Sequence, residues 1–130
     1  MRRQSRELAL QILFQTEFTS SISTDDLLSL YEEAVSRDVL DYANILIHGV
    51  KENQNKIDEL IQSISSHWSL NRMSIVDRNI LRLAAFELRF ASEKMKPNIA
   101  INEAVEIAKK FSTTESSSFV NGILDTLAKG

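Results

Sequence analysis

The chain has 130 residues, of which 43% are hydrophobic and 25% charged, with a formal net charge of −3. That length suffices for one domain with a sizeable core, and no stretch approaches the roughly 18 consecutive apolar residues of a membrane-spanning helix, so we expect a soluble, cytoplasmic protein. The lack of cysteine excludes disulfides, zinc-thiolate sites and thiol catalysis. Because the overall charge is mildly acidic, any nucleic-acid affinity must come from a local basic patch.

Three glycines and one proline among many helix-forming residues predict an all-α fold of about seven helices in a single domain, residues 1–130. The first helix is predicted over residues 3–19, and its apolar side chains cover most of its circumference, which is typical of a central, buried helix. A second helix is predicted to begin with Thr24 as its N-cap and to continue through Val35. Apolar periods at residues 42–50 and 57–64 predict a third and a fourth helix.

Ser74 and Asp77 predict a capping box that opens the fifth helix, SIVDRNILRLAAFELRFA, the longest apolar helix of the chain. Pro97 precedes the sixth helix, IAINEAVEIAKKF, and TTESSSFVNGILDTLA forms the seventh. Apolar residues at helical spacing around Gly122 predict that this glycine is a close-packing position inside the last helix. For Gly49 in the third helix, a close helix contact and a merely tolerated glycine are equally good interpretations.

Three arginines lie in the first turns of the first helix, where the positive end of the helix dipole makes each cation unfavourable by a few tenths of a kcal/mol. The spacing of Arg2, Arg3 and Arg6 places all three on one face of the helix, within an arc of about 100°. Arginine offers planar, paired donors to phosphate, and the neighbouring Gln4 and Ser5 can add hydrogen bonds. From spacing alone, a phosphate-binding face and an ordinary solvated terminus are balanced alternatives.

A catalytic constellation is not evident in the sequence. There is no activated nucleophile and no glycine-rich phosphate loop, and the two histidines, 19 residues apart, make a poor metal site. Glu103 and Glu106 could imitate a pair of catalytic acids, but Lys109 and Lys110 offer ordinary ion pairs along the same helix. We therefore expect no enzyme activity, no metal and no cofactor.

One aromatic residue near the C-terminus allows two interpretations. Phe119 follows the polar turn ESSS, so it could offer a stacking platform to an RNA base beside free backbone amides. It also lies at helical spacing from Ile123, and periodicity by itself favours a core position over a platform.

Three segments together resemble one known family. RRQSRELALQILFQ, VDRNILRLAAFEL and IAINEAVEIAKKFSTTESSSFVNGILD are similar to the NusB family of bacterial transcription antitermination factors, and the likeness extends from Arg2 to about Ala128. The resemblance implies two three-helix bundles and no catalytic activity. It further implies binding to the boxA sequence of nascent ribosomal RNA, as single-stranded RNA, in a heterodimer with the ribosomal protein NusE. This pair then helps RNA polymerase, within an antitermination complex, to resist termination.

The resemblance also implies which residues make each contact. RNA would be bound by the N-terminal segment and the start of the last helix, at Arg2, Arg3, Gln4, Arg6, Glu115 and Phe119. Gln4 stands where some family members carry a further arginine, and the family position of Phe119 favours base stacking over a core role. NusE would be bound at Asp77 and at Phe14, where other members have tyrosine.

Two other interpretations remain from the sequence. A NusB-like domain also forms the RNA-binding part of ribosomal RNA cytosine methyltransferases, an interpretation that requires this chain to be a fragment. The other is a helical adaptor that binds only proteins and has an incidental basic terminus. The family resemblance also leaves open a homodimer of the free protein, and it implies no membrane association.

Overall fold

In a computed structural model of the chain, the structure describes residues 2–65 and 69–130, and within them it contains six α-helices and no strand. The helices are α1 (Arg2–Phe18), α2 (Thr24–Ser29), α3 (Arg37–Ile64), α4 (Ile75–Ala85), α5 (Pro97–Phe111) and α6 (Thr114–Lys129). A 3₁₀ turn (Leu70–Arg72) precedes α4, and a π-helical turn (Phe86–Phe90) follows it. No helix in the described part is long and apolar enough to cross a membrane. The all-α prediction is confirmed, with six helices in place of about seven.

The helices form two groups of three that share one core. Helices α1 and α2 pack against α3, helices α4, α5 and α6 pack against one another, and α4 also contacts α1 and α3. The fully buried side chains include Ile12 of α1, Leu46 of α3, Leu81 of α4 and Leu124 of α6, which belong to a single continuous apolar cluster. This is the expected arrangement of two three-helix bundles.

Helix α3 replaces the third and fourth helices of the sequence prediction. Its 28 residues begin after the N-cap Ser36, whose side chain accepts a hydrogen bond from the Val39 N–H. The polar stretch 51–56 interrupts the apolar period, but it contains neither glycine nor proline, and the Asn53 side chain donates to the Gly49 carbonyl at 2.8 Å. The apolar period breaks because these six residues are polar, four of them exposed and two half-buried, and not because the helix ends.

Helix α2 is shorter than predicted, and its N-cap lies one residue earlier than expected. Ser23, not Thr24, is the N-cap, because its hydroxyl accepts a hydrogen bond from the Asp26 N–H at 3.0 Å. After Ser29 the backbone continues mainly through bonds between residues three apart, such as Tyr31 N–H to the Leu28 carbonyl. The segment that follows is therefore a series of turns and not α-helix.

Side-chain caps fix the starts of α4 and α6 next to each other. Ser74 accepts from the Asp77 N–H at 3.1 Å, and Thr113 accepts from the Ser116 N–H at 3.0 Å. The second half of the predicted capping box is wrong, because the Asp77 carboxylate accepts no hydrogen bond from the Ser74 backbone N–H in the part of the chain that the structure describes. It accepts a hydrogen bond from the Ser116 hydroxyl at 2.8 Å, which joins the first turns of α4 and α6.

The π-helical turn widens the chain after α4. Its defining bond runs from the Ala91 N–H to the Phe86 carbonyl, five residues back, at 2.9 Å. Phe86, Glu87 and Leu88 are all buried, so this turn directs three consecutive side chains inward, including one carboxylate. A wide turn of this kind is frequent at functional positions.

Gly49 and Gly122 differ in what a methyl group would meet. A Cβ on Gly49 would overlap the ring of Phe86, which is itself buried, so the close contact at this position is a packing requirement. A Cβ on Gly122 would have no neighbour within 4 Å among the described residues. The close-packing prediction for Gly122 is therefore wrong.

We predict that Gly49→Ala and Gly122→Ala change stability in opposite directions. Overpacking against Phe86 should cost about 1–3 kcal/mol at Gly49, more than the helix propensity that alanine adds. At Gly122 only the propensity gain remains, and it should stabilise by about 0.5–1 kcal/mol. Chemical denaturation of the two variants measures this difference, and equal effects would contradict the packing described here.

Candidate nucleic-acid interface

Arg6 lies inside the protein, although it belongs to the arginine cluster at the start of α1. The residue is only 5% exposed, and its Nε and Nη2 donate to the two carboxylate oxygens of Glu87, each at 3.0 Å. Its Nη1 donates to Glu103 on α5 at 3.1 Å. Burial opposes the charged form, but the hydrogen bonds with Glu87 hold the pKa of Arg6 above its usual value. Arg6 thus joins α1, the π-helical turn and α5 through charged groups.

Arg3 contacts the same carboxylate from the outside. Its Nε donates to Glu103 Oε1 at 3.0 Å, and its Nη2 donates to Oε2. The Arg3 side chain is 47% exposed and that of Glu103 is 16% exposed. The hydrogen bond from Arg3 lowers the pKa of the Glu103 carboxyl, so this group is ionised at neutral pH.

Arg2 rests on an aromatic ring from α3. Its guanidinium carbon lies 4.2 Å from the ring centroid of Tyr42, which is cation–π distance. The Tyr42 hydroxyl donates a short hydrogen bond to Glu87. Burial, together with that bond to the carboxylate, raises the pKa of Tyr42 from 10.0 to about 12, so the phenol remains a donor at neutral pH.

These contacts separate the three arginines that spacing placed on one face. Arg2, Arg3 and Gln4 are exposed, whereas Arg6 is not, and Ser5 donates its hydroxyl to the Val39 carbonyl at 2.9 Å. The expectation that all three guanidinium groups face solvent is therefore wrong for Arg6. The exposed basic surface of the N-terminal segment consists of Arg2 and Arg3.

A groove of about 260 Å³ lies at the adjoining starts of α4 and α6. Phe119 and Glu115 of α6 line it together with Arg72 of the 3₁₀ turn. Phe119 is partly buried and packs on the core while also bordering this open space. Its ring is therefore part of the core on one side and open to the groove on the other.

Asp77 also lines this groove, but it is not an open surface acid. The residue is only 8% exposed, and its Oδ2 is bound by Ser116. Its Oδ1 accepts no hydrogen bond from the part of the chain that the structure describes. An Asp77→Lys substitution would place an ammonium group against the joint between α4 and α6, so we expect it to disturb the fold as well as any contact with a partner.

Phe14 lies in a second, largely apolar groove of about 360 Å³. Leu10 of α1, Val76 of α4 and Phe111 of α5 form its other apolar walls. Next to it Phe18, which is 65% exposed, packs edge-on against Phe14 with ring centroids 4.9 Å apart. Val76 and Asp77 are consecutive residues, so the first turn of α4 borders both grooves.

The exposed arginines and Phe119 lie near different ends of α5. Arg3 contacts Glu103, whereas Thr113, two residues beyond the end of α5, borders the groove of Phe119. At about 1.5 Å of rise per residue, these two points are about 15 Å apart. Contacts among the described residues do not join Arg2 or Arg3 to Phe119, so one ligand would have to extend along the protein to reach both.

Sequence reasoning missed the residues that organise the arginines. Tyr42, Glu87 and Glu103 come from three different elements, and 81 and 97 residues separate Arg6 from its two carboxylates. Local helical pairing was expected for the acids of α5, and it is confirmed for Glu106 with Lys109 at 3.2 Å. Only the side-chain contacts between α1 and α5 in the folded chain assign Glu103 to Arg3.

The fold is therefore that of a helical protein of two bundles, with an exposed pair of arginines and two open grooves on its surface. Within residues 2–65 and 69–130, no group of three or more histidine, aspartate or glutamate side chains could hold a metal ion. A match to the NusB family covers residues 3–129. The chain therefore belongs to the NusB family, a family without enzymatic activity, as the sequence motifs predicted.

Individual relatives agree with this assignment. The chain is 55% identical to the transcription antitermination protein NusB of Bdellovibrio bacteriovorus over 128 residues, which are 98% of this chain and 95% of that protein. It superposes on NusB of T. maritima with a TM-score of 0.90 at 42% identity, covering 99% and 91% of the two chains. A chain in the crystal structure of the antitermination factors NusB and NusE in complex with double-stranded RNA gives a TM-score of 0.85 at 27% identity, covering 98% and 96%.

We predict that Arg6 supports the fold far more than its exposed neighbour does. Arg6→Gln leaves Glu87 and Glu103 without their buried cation, which should lower the free energy of unfolding by about 3–5 kcal/mol. Arg2→Gln loses only a surface cation–π contact and should cost no more than about 1 kcal/mol. Urea denaturation of both variants measures the difference, and a loss below 1 kcal/mol for Arg6→Gln would contradict a structural role.

Proposed function

We propose that this protein is a transcription antitermination factor that binds boxA of nascent ribosomal RNA together with NusE. The complex acts in the cytoplasm and helps RNA polymerase to resist termination. The observation that carries the proposal is the exposed arginine pair, Arg2 and Arg3, held at the end of α1 in a chain of the NusB family. The solved complex of NusB and NusE with RNA supports this combination of partners.

The N-terminal end of α1 binds the RNA backbone. Arg2 and Arg3 supply two fixed guanidinium groups, and the exposed Gln4 adds a neutral hydrogen-bonding group beside them. Arg6 acts from inside, because it holds the carboxylate that contacts Arg3. This arrangement limits phosphate contacts at this end of α1 to about two.

The groove at the starts of α4 and α6 binds a base. The ring of Phe119 forms one wall, and the cation of Arg72 offsets the negative charge of Glu115 at the rim. A base in a continuous duplex is stacked on its neighbours, whereas an unpaired base can lie flat on an aromatic ring. We therefore propose single-stranded RNA as the ligand, although the related complex contains double-stranded RNA.

The apolar groove around Phe14 binds NusE. The half-buried Phe14 and the exposed Phe18, beside apolar walls, form the kind of surface that a protein partner covers. Phe14 lacks the hydroxyl of the tyrosine found in other members, so its contact is apolar. Asp77 contributes by fixing the first turn of α4 against α6, which places Val76 in this groove. Self-association of the free protein through the same groove would compete with NusE.

We predict that two sets of variants separate RNA binding from partner binding. Arg2→Gln combined with Arg3→Gln should weaken binding to boxA RNA and flatten the log–log salt slope by about 0.7 per phosphate contact, or about 1.4 in total. NusE binding should not change. Phe14→Ala should weaken binding to NusE and leave the affinity of the protein alone for RNA intact.

Fluorescence titrations of labelled boxA RNA, single-stranded and as a duplex, with and without NusE, measure these effects. A scrambled single strand of the same length controls for sequence. Unchanged RNA affinity and salt slope in the double arginine variant would contradict the proposed RNA surface. Tighter binding to the duplex than to the single strand would contradict the proposed ligand.

We predict that Phe119→Ala weakens RNA binding by about 1–3 kcal/mol, since one base loses its stacking surface. The ring also touches the core, so some stability is lost as well, but less than the roughly 3–5 kcal/mol of a fully buried phenylalanine. Parallel denaturation and RNA titration distinguish the two roles. A variant that is strongly destabilised yet binds RNA normally when folded would contradict the stacking role and show that Phe119 acts only as a core residue.

A further inference from the structure

The contact between Arg3 and Glu103 leaves one edge of the arginine open. Glu103 accepts hydrogen bonds from Nε and Nη2, which form one edge of the planar guanidinium group. The edge formed by Nη1 and the second hydrogen of Nη2 is also a two-pronged donor, with the geometry that suits two phosphate oxygens. No residue in the described part of the chain accepts a hydrogen bond from Arg3 Nη1.

Glu103 is itself held in place and is not a mobile counter-ion. Its Oε1 accepts from Arg6 Nη1 at 3.1 Å as well as from Arg3, and Arg6 is locked on Glu87 inside the protein. The carboxylate therefore has a fixed position on α5, and through it the plane of the Arg3 guanidinium is fixed too. A free arginine would have to lose side-chain freedom when it meets a phosphate, whereas this one has already lost it.

We propose that Glu103 is a positioning residue for RNA binding. It accepts hydrogen bonds from one edge of the Arg3 guanidinium group and so directs the other edge toward a phosphate of the RNA. This inference rests on the proposed RNA-binding function and specifies how it is achieved. The role assigned to Glu103 is counter-intuitive for a nucleic-acid surface, because a negative charge beside the RNA improves binding. Arg6, itself bound to Glu87, holds Glu103 in place from inside the protein.

The opposite role makes the opposite prediction. If Glu103 only neutralised Arg3 in the free protein, a phosphate would have to displace it, and removing the carboxylate would strengthen RNA binding. The geometry favours positioning, because a phosphate can take the open edge without breaking either bond to Glu103. Displacement would also leave a carboxylate that is only 16% exposed with fewer partners.

We predict that Glu103→Gln weakens binding to boxA RNA about tenfold, equivalent to about 1.4 kcal/mol. Glu106→Gln is the matched control: it removes the same charge from the same helix, near enough to influence Arg3 electrostatically, but Glu106 pairs with Lys109 and not with Arg3. The control should bind RNA as tightly as the unchanged protein or slightly more tightly. Titration at low and moderate salt measures all three proteins.

A second variant keeps the test independent of any loss of stability. Arg3→Lys retains the charge but has no planar edge to share between a carboxylate and a phosphate, so it should lose a similar factor in RNA affinity. The double variant Arg3→Lys with Glu103→Gln should be no weaker than either single variant, since both remove the same arrangement. Unchanged NusE affinity shows that the variants are folded.

Tighter or unchanged RNA binding by Glu103→Gln would overturn the positioning role. The role would also be overturned if the losses of RNA affinity caused by Arg3→Lys and Glu103→Gln were fully additive in the double variant. If the unchanged protein does not bind boxA RNA at all, the proposed function fails first and this inference fails with it, which is a different result from binding that Glu103 does not influence.

Discussion

The interaction on which the rest of the structure depends is the buried contact of Arg6 with Glu87 and Glu103. One guanidinium group joins α1 to the π-helical turn and to α5, which connects the two bundles near the N-terminal end of the chain. A second charged cluster does the same at the other end of α1, where Glu17 binds Arg82, and Arg82 also binds Asp58 of α3. Buried charges such as Arg6, Glu87 and Arg82 are costly unless each has a well-placed partner, so both clusters demand a specific arrangement of helices.

The Arg6 contact also explains why cations stand at the electrostatically unfavourable end of a helix. The dipole cost is a few tenths of a kcal/mol per cation, and a paired, buried guanidinium outweighs it. For Arg6 the reason is structural. Arg2 and Arg3 stand there for a different reason: Tyr42 holds Arg2 and Glu103 holds Arg3 in fixed positions on the surface. The three arginines of the first turns of α1 therefore have two distinct roles, and the buried Arg6 supports the exposed Arg2 and Arg3 through Glu87, Tyr42 and Glu103.

Elements set by local chemistry could be predicted from the sequence, and features set by contacts between distant segments could not. The Ser74 cap, Pro97 and apolar periods located α1, α5, α6 and the start of α4 closely, but the predicted fifth helix extends to Ala91, whereas α4 ends at Ala85 and a π-helical turn follows. The prediction split α3 because a solvated stretch breaks the apolar period without breaking the helix. At the site, exposed Arg2 and Arg3 followed from their position, but the burial of Arg6 and of Asp77 depends on partners on other helices. The family motifs supplied the function class, since no spacing rule connects Phe119 with RNA.

Nitrogen-edited NMR of the arginine side chains during titration with boxA RNA tests the central claim most directly. That claim assigns the phosphate contacts to the outer arginines and a purely internal role to Arg6. We predict that the guanidinium signals of Arg2 and Arg3 shift as RNA is added, while the Arg6 Nε–H signal stays in place and exchanges slowly with solvent. A shift of the Arg6 signal with Arg3 unaffected would contradict the account.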